Sequence, residues 1–229
     1  MKLVLGTQII IASILLSSFI LSYLMLYKGW LARFRFQREP TPVGMLMKHV
    51  PLIILNYVIL PALSSAALFA AEPWFEMNEY PSLGVLLVQV MFILAADDAW
   101  FYFSHRLLHR SRFLMKNIHR KHHEVTAPIP LDYLYVHPLD WPFCSVGIVI
   151  GVSLVVLVFG EVNIWPWWAY SAIRGVNEVI LHSGLKFSFM RKIPFRGSAE
   201  YHDLHHSRPV GNYSSTLKIW DKAMATEIE

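Results

Sequence analysis

Long apolar runs dominate the chain, and short polar segments separate them. Residues 3–27 form the first run, which exceeds the roughly 20 residues that a helix needs to cross a bilayer. The alternative for this run is a secretory signal peptide, whose apolar core is usually only about 7–15 residues long. Further apolar runs extend from Val50 to Ala71 and from about Leu83 to Ser104. The pattern therefore predicts three N-terminal transmembrane helices.

Two more apolar stretches follow, at about residues 143–160 and 162–182, with the short sequence FGEVN between them. Basic segments flank the pair on both sides, so we expect an even number of membrane crossings between these segments. We predict a hairpin here, either fully spanning or re-entrant. The predicted fold class is an all-α integral membrane protein with about four to five transmembrane helices or hairpin segments.

The charges between the runs predict which ends face the cytoplasm. The segment after the first run is basic, and its charged residues are Lys28, Arg33, Arg35, Arg38, Glu39 and Lys48. The segment after the second run is acidic, with Glu72, Glu76 and Glu79. The tail is again basic, with Lys186, Arg191, Lys192, Arg196 and Arg208. Because cytoplasmic loops are enriched in Lys and Arg, we predict a cytoplasmic polar cap and an N-terminus on the far side.

Length and composition support this organisation. The 229 residues suffice for the spans and one polar cap, so we predict a single membrane domain. Its parts are three spans in residues 1–104, a hairpin in residues 143–182, and a cap built from residues 105–142 and 183–229. Hydrophobic residues make up 55% of the chain and charged residues 16%, against about 25% charged in soluble proteins. The net charge of +4 comes from residues that flank the spans, so it does not indicate a nucleic-acid partner.

Histidines carry the chemical signal. HRLLH places two of them four residues apart, and IHRKHH and YHDLHH each contain an HxxHH pattern. On a helix, these spacings bring imidazoles onto one face, where they can bind a metal ion. Two single histidines, one before Pro138 and one at the end of the last apolar stretch, extend the set. The ten predicted metal ligands are His105, His109, His119, His122, His123, His137, His182, His202, His205 and His206.

Ten histidines exceed the ligands that one ion can use, so we predict two metal ions. With Cys144 as the one cysteine, histidine and carboxylate ligands would have to bind them, and imidazole suits iron, zinc or copper. We predict iron as the working metal and zinc as its substitute in purified protein. Polar groups inside apolar stretches are costly, so we expect Asp98, Asn177 and Glu178 to face the site and orient its imidazoles.

Four segments together resemble the fatty acid hydroxylase/sterol desaturase superfamily of integral-membrane di-iron enzymes. They are DDAWFYFSHRLLHRSRFLMKNIHRKHHEVTAPI, YVHPLDW, LHSG and IPFRGSAEYHDLHHSRPVGNYSSTLKIWD. Within the superfamily, the sterol C-4 methyl oxidases are the most similar branch, because of the TAPI, HPLD and GNYSST sequences. The resemblance covers roughly Ala95 to Thr226. The chain departs from the superfamily after Asp221, where it reads KAMATEIE instead of phenylalanine-glycine-threonine.

This resemblance implies an oxygenase that oxidises a lipid C–H bond with O2, foremost the 4-methyl group of a sterol. It implies electrons from NAD(P)H through a separate membrane haem protein or reductase, since the chain contains no dinucleotide-binding fingerprint. It also implies the endoplasmic reticulum if the source is eukaryotic. In the fatty acid hydroxylase branch a histidine lies one turn before the HSG histidine, so Glu178 is a candidate carboxylate ligand.

Two alternatives to sterol oxidation stay open. The first is a fatty acyl, sphingolipid or alkylglycerol hydroxylase, or a sterol desaturase, of the same superfamily. The second is a non-catalytic metal-binding or transport membrane protein. A transport path would spread ionisable residues through the spans, whereas here they gather at one side of the predicted membrane. This distribution favours an enzyme.

Overall fold

The computed structural model describes residues 1–29, 31–37, 43–187 and 193–229, and residues 43–45 by their backbone alone. Four charged residues used in the topology prediction lie outside the described residues, namely Arg38, Glu39, Arg191 and Lys192. The elements are, in chain order, α1 Lys2–Tyr23, α2 Val43–Ala71, β1 Phe75–Glu76, α3 Leu83–Arg110, α4 Arg112–Asn117, α5 Asp140–Cys144, α6 Val146–Phe159, β2 Val162–Asn163, α7 Ile164–Leu181, α8 Ala199–Ser207 and α9 Ile219–Ala223.

Short helical turns and polar caps complete these elements. A π-helical segment, Leu24–Lys28, extends α1, and 3-10 helices cover Ala32–Phe34, Glu72–Trp74, His119–Glu124 and Pro130–Leu134. Side-chain oxygens of Ser82, Asn163 and Ser198 accept hydrogen bonds from backbone N–H groups in the first turns of α3, α7 and α8. Such caps satisfy donors that have no partner inside a helix, and they fix where each helix begins.

Among the described residues, four helical segments are long and apolar enough to cross a membrane: Lys2–Lys28, Leu46–Trp74, Leu83–Arg110 and Asp140–Phe159. They confirm the predicted all-α, multi-pass membrane fold. The fifth apolar stretch also forms a helix, α7, but it is not among the four candidate spans and it carries Arg174 and Glu178. Helix α7 packs against α1 and α3, so it belongs to the same helical bundle.

The bundle has two ends of different character. At one end, the N-terminal amine lies 2.5 Å from Glu72 Oε1, and Lys2 Nζ donates to the main-chain oxygen of Met77. Strand β1 pairs in parallel with β2 at the same end. Helices α3 and α7 both begin here, and both carry histidines at their other end. The acidic segment and the chain start therefore lie together, far from the histidines.

Helices α3 and α6 approach each other closely through two glycines one turn apart. A Cβ atom added at Gly147 would lie 2.6 Å from the Cα atom of Asp97, and one added at Gly151 would lie 2.7 Å from the Cα atom of Ile93. Small residues permit such backbone contact between membrane helices, as in GxxxG pairs. Gly147 therefore determines how close the Asp97 backbone lies to α6.

Candidate metal centre

Four elements bring nine histidines together at one end of the bundle. Helix α3 ends with His105 and His109, and the 3-10 helix His119–Glu124 carries three more histidines. His182 is the C-cap residue of α7, and α8 contributes the last three. Gly184, with a φ of 62°, turns the chain just beyond α7. The nine side chains form two clusters.

The first cluster contains five histidines whose ligand nitrogens all lie within 4.8 Å of one another. The Nε2 atom of His105 lies 3.0 Å from that of His119 and 3.3 Å from that of His109. The Nε2 atom of His123 lies 3.1 Å from those of His109 and His119. The members of the first cluster are His105, His109, His119, His123 and His205.

The second cluster contains four histidines, and all of them are buried. The Nε2 atom of His202 lies 3.1 Å from that of His182 and 3.2 Å from that of His206. The Nε2 atom of His122 lies 3.5 Å from that of His182. The members of the second cluster are His122, His182, His202 and His206.

Main-chain carbonyl oxygens fix the tautomer of four rings. In each ring, Nδ1 lies 2.6–2.9 Å from a carbonyl oxygen. A carbonyl oxygen only accepts, so Nδ1 carries the proton and Nε2 keeps its lone pair for a metal ion. The pairs are His105 with Tyr213, His205 with Gly211, His182 with Glu178, and His206 with Val125.

The distances between ring nitrogens fit metal ligation. With metal–nitrogen bonds of about 2.0–2.1 Å, adjacent ligands of one ion have nitrogens about 3.0–3.4 Å apart. The contacts between Nε2 atoms span 3.0–3.5 Å. The Nε2 atom of His205 is buried and has no hydrogen-bond partner among the described residues. Each cluster therefore has the donor set, the spacing and the free lone pairs that a transition-metal ion requires.

Burial keeps these rings in the form that binds metal. Burial, together with the charge of adjacent rings, lowers the pKa of His122, His202, His205 and His206 well below its usual value. The same causes lower the pKa of His123 to about 2. A metal ion binds neutral imidazole, so these rings need not lose a proton at neutral pH before they bind.

Each HxxHH motif divides between the two clusters. His119 and His123 belong to the first cluster, whereas His122 belongs to the second. In α8, His205 belongs to the first cluster, and its neighbour His206 belongs to the second. Adjacent residues of a helix point in different directions, so each motif links both clusters rather than serving one.

His137 lies outside both clusters. It is partly exposed, and its Nδ1 atom accepts a hydrogen bond of 3.1 Å from the backbone N–H of Leu139. The structure thus brings together nine of the ten histidines predicted as ligands, five in one cluster and four in the other.

The polar residues predicted to orient imidazoles have different neighbours. The Oε2 atom of Glu178 lies 3.8 Å from Nδ1 of His182, so this carboxylate lies beside the second cluster without being a member of it. The Oδ1 atom of Asp98 accepts hydrogen bonds from the backbone N–H groups of Thr216 and Leu217. Asp98 therefore holds the segment between α8 and α9, not an imidazole.

Asn177 contacts the same segment. Its Nδ2 atom donates to Ser215 Oγ at 3.3 Å and to Thr216 Oγ1 at 3.4 Å, and its Oδ1 atom accepts from Arg196. Asn177 and Asp98 thus fix the chain that follows α8, whose Gly211 and Tyr213 carbonyl oxygens bind histidine rings.

Asp140 is a partner of the first cluster that the sequence patterns did not indicate. Its Oδ2 atom lies 2.7 Å from Nδ1 of His119, and both residues are buried. Asp140 is the first residue of α5 and lies in the HPLD sequence. An acidic residue directly before an apolar stretch, close to a histidine motif, was the signal that could have indicated it.

Replacing Asp140 by asparagine is expected to weaken metal binding in the first cluster. The amide keeps the size of the carboxylate but removes the charge that orients the His119 ring, so we expect metal affinity or activity to fall about 10- to 100-fold. Metal content after dialysis against a graded series of chelator concentrations measures this effect. The matched control is Asp203→Asn, because the Asp203 carboxylate accepts from Gln37 and not from an imidazole. Equal metal retention in both variants would contradict the role of Asp140.

A largely apolar cavity of about 210 Å³ reaches from both clusters into the helical bundle. The histidines in its wall are His105, His119, His122, His182 and His202. Its apolar wall includes Ile11, Ile14, Leu60, Phe101, Ile148 and Trp167. Residues from α1, α2, α3, α6 and α7 contribute to it, so the cavity lies among the helices that the membrane surrounds.

Several known proteins are similar to this chain. Methylsterol monooxygenase 1 of Gallus gallus is 36% identical over 155 residues, which are 67% of this chain and 50% of that protein. Methylsterol monooxygenase 1 of Rattus norvegicus is 32% identical over 157 residues, 68% of this chain and 52% of that protein. Methylsterol monooxygenase 2-2 of Arabidopsis thaliana is 28% identical over 217 residues, 87% of this chain and 76% of that protein. The chain spans about half the length of the first two proteins.

No solved structure matches the chain. The Fatty acid hydroxylase family matches residues 90–226, the part of the chain that contains both histidine clusters. The match covers more than half of the 229 residues and includes every histidine of both clusters. The chain therefore belongs to the fatty acid hydroxylase family.

Proposed function

We propose that this chain is a membrane-bound non-haem di-iron oxygenase that oxidises a C–H bond of a lipid with O2, and that this bond belongs to the 4-methyl group of a sterol. The observation that carries the proposal is that both histidine clusters line one largely apolar cavity among the membrane helices. A purely structural metal site closes with four ligands and needs no cavity beside it.

The residues of the chain have separate tasks in this reaction. Iron bound by the two clusters would supply the activation of O2 that oxidation of an unactivated C–H bond requires. The histidines hold the ions through Nε2, and the carbonyl oxygens and Asp140 orient the rings. The apolar wall excludes water and directs the lipid so that one C–H bond faces the clusters.

A sterol is the substrate that the relatives support. The similar proteins carry the name methylsterol monooxygenase, and the family match at residues 90–226 includes the histidine motifs. The cavity wall combines branched aliphatic residues with the aromatic rings of Phe101 and Trp167, which suits a rigid apolar molecule. We therefore favour a sterol over an acyl chain.

We also propose a separate electron donor, a membrane haem protein or reductase that takes its electrons from NAD(P)H. Exposed basic residues lie along the chain beside the histidines of the first cluster, and they are Arg110, Arg112, Lys116, Arg120 and Lys121. A basic face favours association with an acidic partner. The same residues support a cytoplasmic position for the histidine end, and the sterol-pathway relatives support the endoplasmic reticulum for a eukaryotic source.

Substrate analysis tests the function. We expect membranes that contain the chain to oxidise 4-methyl or 4,4-dimethyl sterols with O2 and NAD(P)H, in a host without its own sterol 4-methyl oxidation. Mass spectrometry of extracted sterols measures the products, and cells that lack the chain should accumulate the substrates. His122→Ala is the matched negative control, because it removes a buried imidazole from the second cluster.

The competing hydroxylases give a different result in the same experiment. If sterols are unchanged while 2-hydroxy fatty acyl chains or alkylglycerol products disappear in cells that lack the chain, the sterol assignment is wrong. If no lipid changes and no oxidation occurs in membranes with a full metal complement, the chain is not an oxygenase.

A further inference from the structure

A group of three charged side chains interrupts the apolar part of the cavity wall. Apart from the histidines and Asp140, the charged residues that line the cavity are Asp97, Arg174 and Glu178. Charged side chains at membrane depth are costly, and they usually mark a functional site. These three lie on α3 and α7, next to the histidine end of the cavity.

The three residues form one hydrogen-bonded unit. Arg174 Nε donates to Asp97 Oδ2 at 2.9 Å, and Arg174 Nη1 donates to Glu178 Oε1. Tyr170 donates its hydroxyl to the same Asp97 oxygen at 2.8 Å. The remaining nitrogen, Nη2 of Arg174, has no hydrogen-bond partner among the described residues. The N–H donors of Nη2 therefore remain available beside a cavity whose wall is largely apolar.

This donor lies close to the metal centre. The guanidinium carbon of Arg174 lies 5.2 Å from the centre of the Phe101 ring, and that ring lies 5.1 Å from the His105 ring. Residues 174, 178 and 182 are each one helical turn apart on α7, so Arg174 and His182 lie on the same face. Arg174 therefore lies in the cavity wall beside its histidine end.

The hydrogen-bonding capacity of the guanidinium selects the kind of substrate group that fits here. The two carboxylates already balance the charge of Arg174, so the unit does not require an anionic substrate group. A hydrocarbon would bury the Nη2 donor without a partner, which costs free energy. A hydroxyl group avoids this cost, because its oxygen accepts from Nη2 and its hydrogen can be donated to a carboxylate.

We propose that Arg174 is a positioning residue that donates a hydrogen bond from Nη2 to an uncharged hydroxyl oxygen of the substrate. This contact fixes the substrate so that a C–H bond close to the hydroxyl faces the histidine clusters. The inference rests on the proposed function, and it narrows the substrate to lipids with a neutral oxygen group near the oxidised carbon.

A substrate series in the wild-type protein gives the first test. The probes are a 4,4-dimethylsterol with a 3-hydroxyl group and its 3-deoxy analogue, and kcat/KM is measured for each. Because hydrogen bonds to charged groups contribute more than neutral ones, we expect the hydroxyl compound to be preferred over the deoxy analogue by about 10- to 100-fold. Equal kcat/KM values for the hydroxyl and deoxy compounds would overturn the proposal.

The variants assign this preference to Arg174. In Arg174→Met, the ratio of kcat/KM between the hydroxyl and deoxy compounds should fall to about one. If the single variant does not fold, the double variant Asp97→Asn/Arg174→Met is measured instead, because it keeps the summed charge of residues 97, 174 and 178 at −1. The control is Arg208→Met, which removes an exposed arginine outside the cavity and should leave the ratio unchanged.

The outcomes separate this inference from the proposed function. If the wild-type protein oxidises neither sterol, the proposed function fails. If the wild-type protein prefers the hydroxyl compound and both arginine variants retain that preference, the proposed function stands and the role of Arg174 is wrong. A purely structural role for Arg174 would lower the rates for both compounds equally, and the ratio would not change.

Discussion

Replacing His205 by alanine is expected to abolish turnover and to lower the metal content from about two ions per chain to about one. The Nε2 atom of His205 is buried and has no hydrogen-bond partner in the described part of the chain, and its ring packs against the rings of His105, His109 and His123. His202→Ala should give the same loss through the second cluster. Metal analysis of purified protein and product formation in membranes measure the two effects.

Two control variants distinguish the loss of a metal ligand from the loss of folded protein. Lys186→Ala changes an exposed residue outside the basic face proposed for the electron donor and should retain both ions and full activity. His137→Ala distinguishes the two assignments of that residue. The sequence pattern predicts that this variant loses metal, whereas the position of His137 outside both clusters predicts that it does not. A His205→Ala protein that keeps two ions and normal turnover would contradict the two-cluster arrangement.

Replacing Gly147 by leucine is expected to destabilise the bundle and to inactivate the protein. A Cβ atom at this position would lie 2.6 Å from the Asp97 Cα atom and 2.9 Å from the main-chain oxygen of Ala96, and backbone atoms cannot move aside as a side chain can. Overpacking of this kind typically costs about 1–3 kcal/mol. The displaced Asp97 would also separate from Arg174 and Tyr170. Thermal unfolding in detergent, together with sterol oxidation, measures the change.

Gly84→Ala is the matched control for this substitution. Gly84 lies in the first turn of α3, and an added Cβ atom would meet only Ser82 Oγ, at 3.9 Å. We therefore expect its unfolding temperature and activity to equal those of the wild type. If Gly147→Leu unfolds at the wild-type temperature, the close packing of α3 against α6 is not what holds Asp97 in place.

The membrane helices could be predicted because the length and hydropathy of an apolar run depend only on residues that are consecutive in the sequence. The runs at 3–27, 50–71, 83–104 and 143–160 correspond to the four candidate spans. The fifth run forms helix α7, which carries Arg174 and Glu178 and is not among the four candidate spans. Hydropathy also does not report helix contacts, although Gly147 and Gly151 form a GxxxG spacing that could have been used.

The histidine motifs were predictable as a set, but the division into two clusters was not. His122 and His123 are neighbours in the sequence, yet they belong to different clusters. Both lie on the 3-10 helix His119–Glu124, where adjacent side chains point in different directions. The acceptors of the Nδ1 protons are mostly main-chain oxygens, which no residue pattern encodes. Asp140 is the exception, since its side-chain carboxylate accepts a hydrogen bond from Nδ1 of His119.

The carbonyl acceptors make the ring orientations insensitive to the identity of the residues that provide them. A substitution at Val125, Gly211 or Tyr213 changes a side chain but leaves its carbonyl oxygen in the chain. As long as the backbone keeps its path, these rings retain their tautomers while the surrounding sequence drifts. A single side-chain substitution can change the hydrogen-bond acceptor of a ring only where that acceptor is a side chain. Asp140, whose carboxylate binds the His119 ring, is therefore the residue to replace in order to alter the electronic character of one ligand.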